Sequence, residues 1–259
     1  MAQRESLEGK IVYITGASSG LGEYLARELV GRGAAVGLLA RREERLREIA
    51  DDLVGRGGTA AWAEADVTDA EGLHAACDKL AAELGDPDVV VANAGYNSSE
   101  TMKRFKPGRA LSIYDTNLFG FIRLVDWALP RFLERGSGHI VGVASMASYF
   151  GFPANAAYSG SKAAMRMHLQ SLRISLKKRG IAVTTICPGF VKSELTDKNK
   201  YPMPFMWGTE RATRLMADAI QQRRARLDFP WQMRLLVTYG IGRLVPRRIS
   251  EWLLARGGG

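Results

Sequence analysis

Through the first 190 residues, six short apolar or β-branched runs alternate with longer amphipathic stretches. The runs are residues 11–14, 35–39, 59–63, 89–92, 139–144 and 181–187; the stretches are 21–32, 42–54, 69–84, roughly 108–134, and 156–178. Strands separated by helices of a dozen or more residues pair in parallel, because a parallel pair needs a crossover connection. Right-handed crossovers then lay helices on both faces of the sheet. Val89-Val90-Val91-Ala92 shows no polar alternation, as expected of a strand buried on both faces. Gly33, Gly55, Gly85 and Gly180 stand where helices should stop, and Thr68 or Asp69 is the expected N-cap of the third. Residues 227–229 offer a further strand. The pattern implies an α/β, doubly wound parallel sheet over residues 1–229. A C-terminal helical extension, basic and amphipathic, follows at 230–259.

A chain of 259 residues can bury one sizeable core without disulfides. With 46% apolar and 24% charged residues it is neither disordered nor fibrous. Cys77 and Cys187 stand apart from each other and from any His, which implies reduced, buried thiols. Residues 1–10 hold no apolar signal core, and no run approaches the roughly 20 residues of a membrane span. A cytoplasmic protein is expected. The net charge of +9 is uneven: residues 210–259 carry ten Arg and no Lys against four acids, a net +6, leaving +3 for residues 1–209. A nearly neutral body argues against nucleic-acid binding and points to a local role for the end.

Directly after the first run comes Thr15-Gly16-Ala17-Ser18-Ser19-Gly20-Leu21-Gly22, with glycines spaced G-x-x-x-G-x-G. Gly16 permits a tight turn, Gly20 admits a pyrophosphate to the backbone, and Gly22 lets helix pack closely on strand. The N–H groups of the following helix then face the phosphates. A glycine triplet alone is weak and reads equally as a turn; its place between a first strand and a first helix points to a dinucleotide site. The end of the second strand discriminates between cofactors. An NAD site wants a carboxylate there for the ribose hydroxyls. Here Ala40 holds the position and Arg41-Arg42 follow. A guanidinium is always charged and forked to match phosphate oxygens. Arg41, supported by Arg42 and Ser18, therefore reads as a 2′-phosphate site, and the cofactor as NADP(H). In the alternative, both arginines are a solvated helix start and Glu43 or Glu44 takes the ribose.

Tyr158-Ser159-Gly160-Ser161-Lys162 sets Tyr and Lys four apart on one helix face. Free Tyr titrates near 10; a nearby ammonium favours its phenolate and brings proton transfer toward pH 7. The pair alone is weak, since eight Tyr in a chain of this composition yield about 0.3 such pairs by chance. It gains weight from residues at the carboxyl ends of other strands, where α/β enzymes build their sites. These are Asp66 after the third, Asn93-Ala94-Gly95 after the fourth, Ser145 after the fifth and Pro188-Gly189 after the sixth, with Asn117 in the long helix between. Singly, each has a plain reading as a turn, cap or loop residue.

Together these pieces closely resemble the short-chain dehydrogenase/reductase family. The match comprises Thr15-Gly16-x-x-x-Gly20-x-Gly22, Asp66, Asn93-Ala94-Gly95, Asn117, Ser145, Tyr158-x-x-x-Lys162 and Pro188-Gly189-x-x-x-Ser193, over roughly residues 7–225. The resemblance implies a Rossmann fold and hydride transfer between NADP(H) and a carbonyl/alcohol pair. It makes Tyr158 the general acid in reduction and base in oxidation, and gives Lys162 the nicotinamide ribose. Ser145 would bond the substrate oxygen, and Asn117 would steady a water that supplies protons through Lys162. Asp66 and Val67 would bracket the adenine and Asn93 would tie the central strands. Ser19, Leu21, Val191 and Ser193 complete the implied cofactor contacts. No metal is implied. A non-catalytic NADP(H)-binding regulator or scaffold is the alternative, though such a protein has no need of an intact tetrad.

The chain departs from the family in lacking an Asp-Gly-Gly tail, which puts the usual tetramer in doubt. A homodimer or higher homo-oligomer through residues 108–134 and 156–178 is expected, with Ala156, Gly160, Ala163 and Ala164 allowing close helix packing. The end of the chain has two readings: a packing element or lid, or a peripheral membrane contact through residues 231–256. In the second, Trp231, Tyr239 and Trp252 sit at headgroup level and Arg meets lipid. Phe190, Leu195, Met203, Phe205, Met206 and Trp207, with Tyr96, Tyr149, Phe150 and Phe152, read either as the wall of a site for a bulky apolar carbonyl or alcohol, or as core. Lys192, Lys198 and Lys200 face an acidic group or solvent.

Overall fold

The computed structural model describes residues 5–98, 106–194, 196, 203–237, 246, 248 and 249. Among them, seven strands form one sheet: β1 (Ile11–Thr15), β2 (Ala35–Ala40), β3 (Thr59–Glu64), β4 (Val89–Ala92), β5 (Gly138–Val143), β6 (Ile181–Pro188) and β7 (Arg226–Phe229). Their order is β3-β2-β1-β4-β5-β6-β7, with every pair parallel. Register follows the apolar runs, Val12 pairing with Val36 on one side and Val89 on the other. The helices are α1 (Gly20–Val30), α2 (Glu43–Gly55), α3 (Ala70–Leu84), α4 (Pro107–Tyr114), α5 (Gly120–Arg135), α6 (Ala156–Leu176), α7 (Thr209–Gln221) and α8 (Trp231–Leu235).

Strand side chains alternate between two cores. Val12 and Ile14 pack with Leu25, Leu46, Ile49, Met216 and Ile220 from α1, α2 and α7. Tyr13 packs with Leu73, Leu80, Leu124, Phe132, Met165 and Leu169 from α3, α5 and α6. Covering both faces of the sheet explains why the central strands carry so little polar alternation. This is the doubly wound Rossmann architecture expected. Cys77 and Cys187 are free and buried, as expected.

Two local expectations need correction. The stretch at 108–134 is not one α-helix: a π-helical turn, Asp115–Phe119, joins α4 to α5. The wider turn carries Asn117 fully inside. At α3, Asp69 is the N-cap by position but its side chain makes no capping bond, and the Thr68 hydroxyl donates to Asp66 (2.8 Å) instead.

The charge-rich end is partly absorbed by the body. Arg211 stacks on Trp207 (3.9 Å), Arg223 pairs with Glu5, and Arg226 pairs with Asp228. Met233 and Val237 are buried in the Tyr13-side core, so residues 231–237 pack on the domain while Trp231, Leu235 and Leu236 stay exposed. Tyr239 and Trp252 lie outside the described residues.

His139 on β5 is buried, with Nε2 2.7 Å from Thr184 Oγ1. The Thr184 proton goes to the Arg224 carbonyl (2.6 Å), so the ring N–H donates to the hydroxyl. Burial, and then the charge of Arg223, hold the His139 pKa down at about 3. An unfolded His takes up its proton near 6.5, whereas the folded one does not. The stability tied to this group is therefore complete above 6.5 and falls by about 1.4 kcal/mol per pH unit below it. Between pH 7 and 5 this residue should cost roughly 2 kcal/mol, read as a lowered urea midpoint. His139→Gln keeps an N–H for Thr184 without titrating, and should flatten that part of the slope. Identical pH slopes in the two proteins would sink the assignment.

Candidate active site

In an open α/β sheet the crevice lies where the strand order reverses, here between β1 and β4. The two strand ends are seamed by side chains. Thr15 Oγ1 accepts the backbone N–H of Asn93 (3.1 Å) and of Ala94 (3.2 Å). Asn93 Nδ2 donates to the carbonyls of Thr15 (3.0 Å) and Gly16 (3.2 Å). Asn93 therefore ties the central strands, as the resemblance implied. Gly16 turns with φ +67°, and a Cβ there would lie 2.8 Å from Ala94 Cα. A Cβ on Gly22 would lie 2.2 Å from the Gly16 carbonyl oxygen. Gly20, Leu21 and Gly22 form the first turn of α1, and Ser19 is its N-cap residue. The loop thus has the shape that a pyrophosphate cradle needs, with helix N–H groups at its mouth.

Asn117, Lys162 and Gly95 meet at one point. A Cβ added to Gly95 would stand 3.0 Å from Asn117 Oδ1 and 3.2 Å from Lys162 Nζ. Asn117 Oδ1 accepts the Tyr96 N–H (2.9 Å), and its Nδ2 donates to the Tyr96 carbonyl and to Ser161 Oγ (3.1 Å each). Lys162 is buried and donates to the Val143 carbonyl at the end of β5 (2.7 Å). Burial disfavours its charge and brings its pKa down to about 8. Tyr158 lies one turn before Lys162 on α6 and is half-buried. Ser145 begins the short 3-10 turn Met146–Ser148, its Oγ accepting the Ala147 N–H (3.1 Å). That bond uses a lone pair, so the hydroxyl proton remains a donor.

At the other edge, the two arginines make different contacts. Arg42, rather than Arg41, grips Ser18: Nε donates to its Oγ (3.1 Å) and Nη2 to its carbonyl (3.2 Å). Arg41 is 76% exposed and stands 3.8 Å from Asp66. Burial works against the charge of Asp66. The Thr68 N–H (2.9 Å) and hydroxyl, with Arg41 and Arg123, outweigh it and hold the carboxyl below its usual range. Val67 is buried against Gly120, and its carbonyl accepts from Arg123 (3.1 Å). Glu43 and Glu44 lie in the exposed first turn of α2.

Past β6, Pro188 ends the strand and Gly189 donates to the Phe229 carbonyl (2.7 Å), with Met233 where its Cβ would be. Val191 pairs with Trp207 in a parallel bridge, and the Ser193 N–H donates to Thr196 Oγ1 (2.9 Å). Several members of the expected apolar wall serve packing. Trp207 lies against Phe229 (5.3 Å), and Phe150 and Phe190 pack on the core. Tyr149 packs on the same core, its hydroxyl donates to Asp228 (3.1 Å), and Arg166 and Arg226 flank its ring. Phe205 and Met206 are exposed; Leu195, Lys198 and Lys200 lie outside the described residues. Gly160 meets the Tyr114 hydroxyl of α4, so this small residue serves packing within the chain. Sequence reasoning missed Ser161 and the Val143 carbonyl as anchors, and Asp228 and Glu194 as partners of site-edge groups. No local pattern marks residues whose partners are so far away in the chain.

The profile of the short chain dehydrogenase family matches residues 10–203. An uncharacterized oxidoreductase of Myxococcus xanthus (strain DK1622) is 43% identical over 220 residues, 85% of this chain and 87% of that protein. The ketoacyl reductase HetN of Nostoc sp. is 36% identical over 186 residues, 72% of this chain and 65% of that one. A gluconate 5-dehydrogenase from Burkholderia cenocepacia J2315, crystallised with NADP and tartrate, shares the fold. Its TM-score is 0.82 at 24% identity, over 89% of this chain and 97% of that one. With the match covering most of the sheet and its strand-end residues, this chain belongs to the short-chain dehydrogenase family of oxidoreductases, whose members use a nicotinamide cofactor.

Proposed function

We propose that this protein is an NADP(H)-dependent carbonyl reductase or alcohol dehydrogenase acting on a hydrophobic small molecule, with Asn117, Ser145, Tyr158 and Lys162 as its catalytic set. The meeting of Asn117 and Lys162 over Gly95, one helical turn from Tyr158, carries the reading. When bound, the nicotinamide supplies or takes the hydride. Tyr158 gives its proton to the substrate oxygen in reduction and recovers it in oxidation. Ser145 aims a second donor at the same oxygen, where negative charge grows. Lys162, charged below about pH 8, favours the phenolate and holds the nicotinamide ribose. Asn117 steadies a water that passes protons to Lys162.

The cofactor would lie along Gly16, Ser18, Ser19, Gly20, Leu21 and Gly22, with Arg42 and Arg41 on its 2′-phosphate. Asp66 and Val67 would take the adenine; Asn93, Ala94, Gly95, Pro188, Gly189, Val191 and Ser193 would line the nicotinamide half. The grip of Arg42 on Ser18 supports NADP(H), since it pre-orients a guanidinium beside the loop. The ketoacyl reductase among the relatives supports a carbonyl substrate. Residues 1–229 act as the catalytic domain and 230–259 as an appended element. The protein works in the cytoplasm as a homodimer or higher homo-oligomer through α5 and α6, where Leu133, Met167 and Ile174 are exposed. A second reading, peripheral contact with an anionic membrane, is favoured by Trp231, Leu235 and Leu236 exposed beside Arg234. Among the described residues no helix is long and apolar enough to cross a membrane.

A panel of ketones and alcohols assayed with NADPH and NADH should give turnover with NADPH. Tyr158→Phe should reduce kcat by about 10²-fold or more while leaving the cofactor Kd within about twofold. Tight NADPH binding with no turnover by wild type overturns the catalytic reading in favour of a cofactor-binding scaffold, and undiminished turnover in Tyr158→Phe overturns the role of that residue. The rate of reduction should also decline above about pH 8, as Lys162 loses its charge; a flat profile to pH 10 would contradict its role. For the tail, sedimentation with anionic but not zwitterionic vesicles should disappear when truncation after Val237 is combined with Trp231→Ser, Leu235→Ser and Leu236→Ser. Those changes spare the buried Met233 and Val237, and retained sedimentation would eliminate this membrane contact.

A further inference from the structure

Glu194 reaches across the crevice to the arginine that holds Ser18. Arg42 Nη1 donates to both of its carboxylate oxygens, at 3.2 and 3.3 Å. The two residues are 152 positions apart, so the contact exists only because β2 and β6 end on the same edge of the sheet. Glu194 is presented from a structured turn. Val191 is bridged to Trp207, and the Lys192 N–H donates to the Trp207 carbonyl (3.0 Å). Thr196 Oγ1 donates to the Val191 carbonyl (2.8 Å) and accepts from Ser193. The turn also lies close to the glycine loop, with Ser193 Cβ 3.3 Å from where a Cβ of Gly20 would be. Arg42 thus spends two of its nitrogens on Ser18 and the third on a carboxylate.

We infer that Glu194 is a specificity-determining residue: an intramolecular carboxylate that occupies the outer edge of Arg42 and that a cofactor's 2′-phosphate must displace. The inference rests on the NADP(H) reading above. A phosphate and a carboxylate are both acceptors for the same guanidinium fork. A dinucleotide with a bare 2′-hydroxyl leaves the Arg42–Glu194 pair intact. One with a 2′-phosphate must break the pair, or bind with two negative charges beside a third. Glu194 therefore weakens NADP(H) selectively and keeps the preference between the two cofactors narrower than Arg41 and Arg42 alone would make it. Both partners are well exposed, at 46% and 63%, so water screens the pair and the effect is modest.

The test measures Kd for NADP+ and NAD+ by titration calorimetry on wild type, Glu194→Gln, Arg42→Ala and the double variant. Glu194→Gln should tighten NADP+ by roughly two- to fivefold and leave NAD+ unchanged. The gain should shrink at high salt and vanish in the Arg42→Ala background, since the two residues act through one contact. An unchanged ratio of the two Kd values, or equal tightening of both, overturns the assignment of Glu194. Arg42→Ala alone tests the reading beneath it. If that variant weakens NADP+ while Glu194→Gln does nothing, only the Glu194 inference falls. If NADP+ binding is indifferent to Arg42→Ala, the contact of Arg42 with the phosphate falls and the Glu194 inference falls with it.

Discussion

The seam between Thr15 and Asn93 is the contact on which the rest of the site depends. The strand order reverses between β1 and β4, whose ladder ends at Ile14 and Val91, leaving a gap beyond it that side chains bridge. One hydroxyl and one carboxamide supply four hydrogen bonds across that gap. Each is worth about 1 kcal/mol net. With the loops pinned, Gly16 must turn left-handed against Ala94, and Gly22 must pass under the Gly16 carbonyl. The same seam delivers Gly95 to Asn117 and Lys162, so the cofactor loop and the catalytic group share one foundation.

Lys162 shows how burial prepares chemistry. Its ammonium is taken out of water and given a backbone carbonyl rather than a carboxylate. That arrangement disfavours the charge, which is why its pKa falls to about 8. An ammonium so placed responds strongly to any negative charge that develops nearby, because little else screens it. A phenolate one helical turn away is such a charge. Ser161, next to Lys162 in the chain, anchors Asn117, so α6 both carries the pair and fixes the π-turn opposite.

Part of the cationic C-terminal fifth is received by the body of the domain. Arg211, Arg223 and Arg226 belong to α7, β7 and their connection, where Trp207, Glu5 and Asp228 receive them. Asp228 is the hub of this edge. Its side chain is 1% exposed and takes Arg226, the more distant Arg234 (3.7 Å) and the Tyr149 hydroxyl. Tyr149 lies four residues past Ser145, so the network links the start of the C-terminal extension to the strand end that carries the substrate-facing serine.

The amino-acid sequence by itself determined the parallel sheet, the order of its elements and the identity of the strand-end residues. Those properties are local: hydrophobic period, glycine placement and the spacing of Tyr158 from Lys162 are written over a few residues each. Only the tertiary structure decided which groups meet. It set the Arg42 guanidinium on the Ser18 hydroxyl and carbonyl. It spent Tyr149 on Asp228, and it interrupted the helix at 115–119 so that Asn117 turns inward. It also set Glu194 against Arg42. Such pairings depend on where distant strands end in space, and a one-dimensional pattern carries no distance between them.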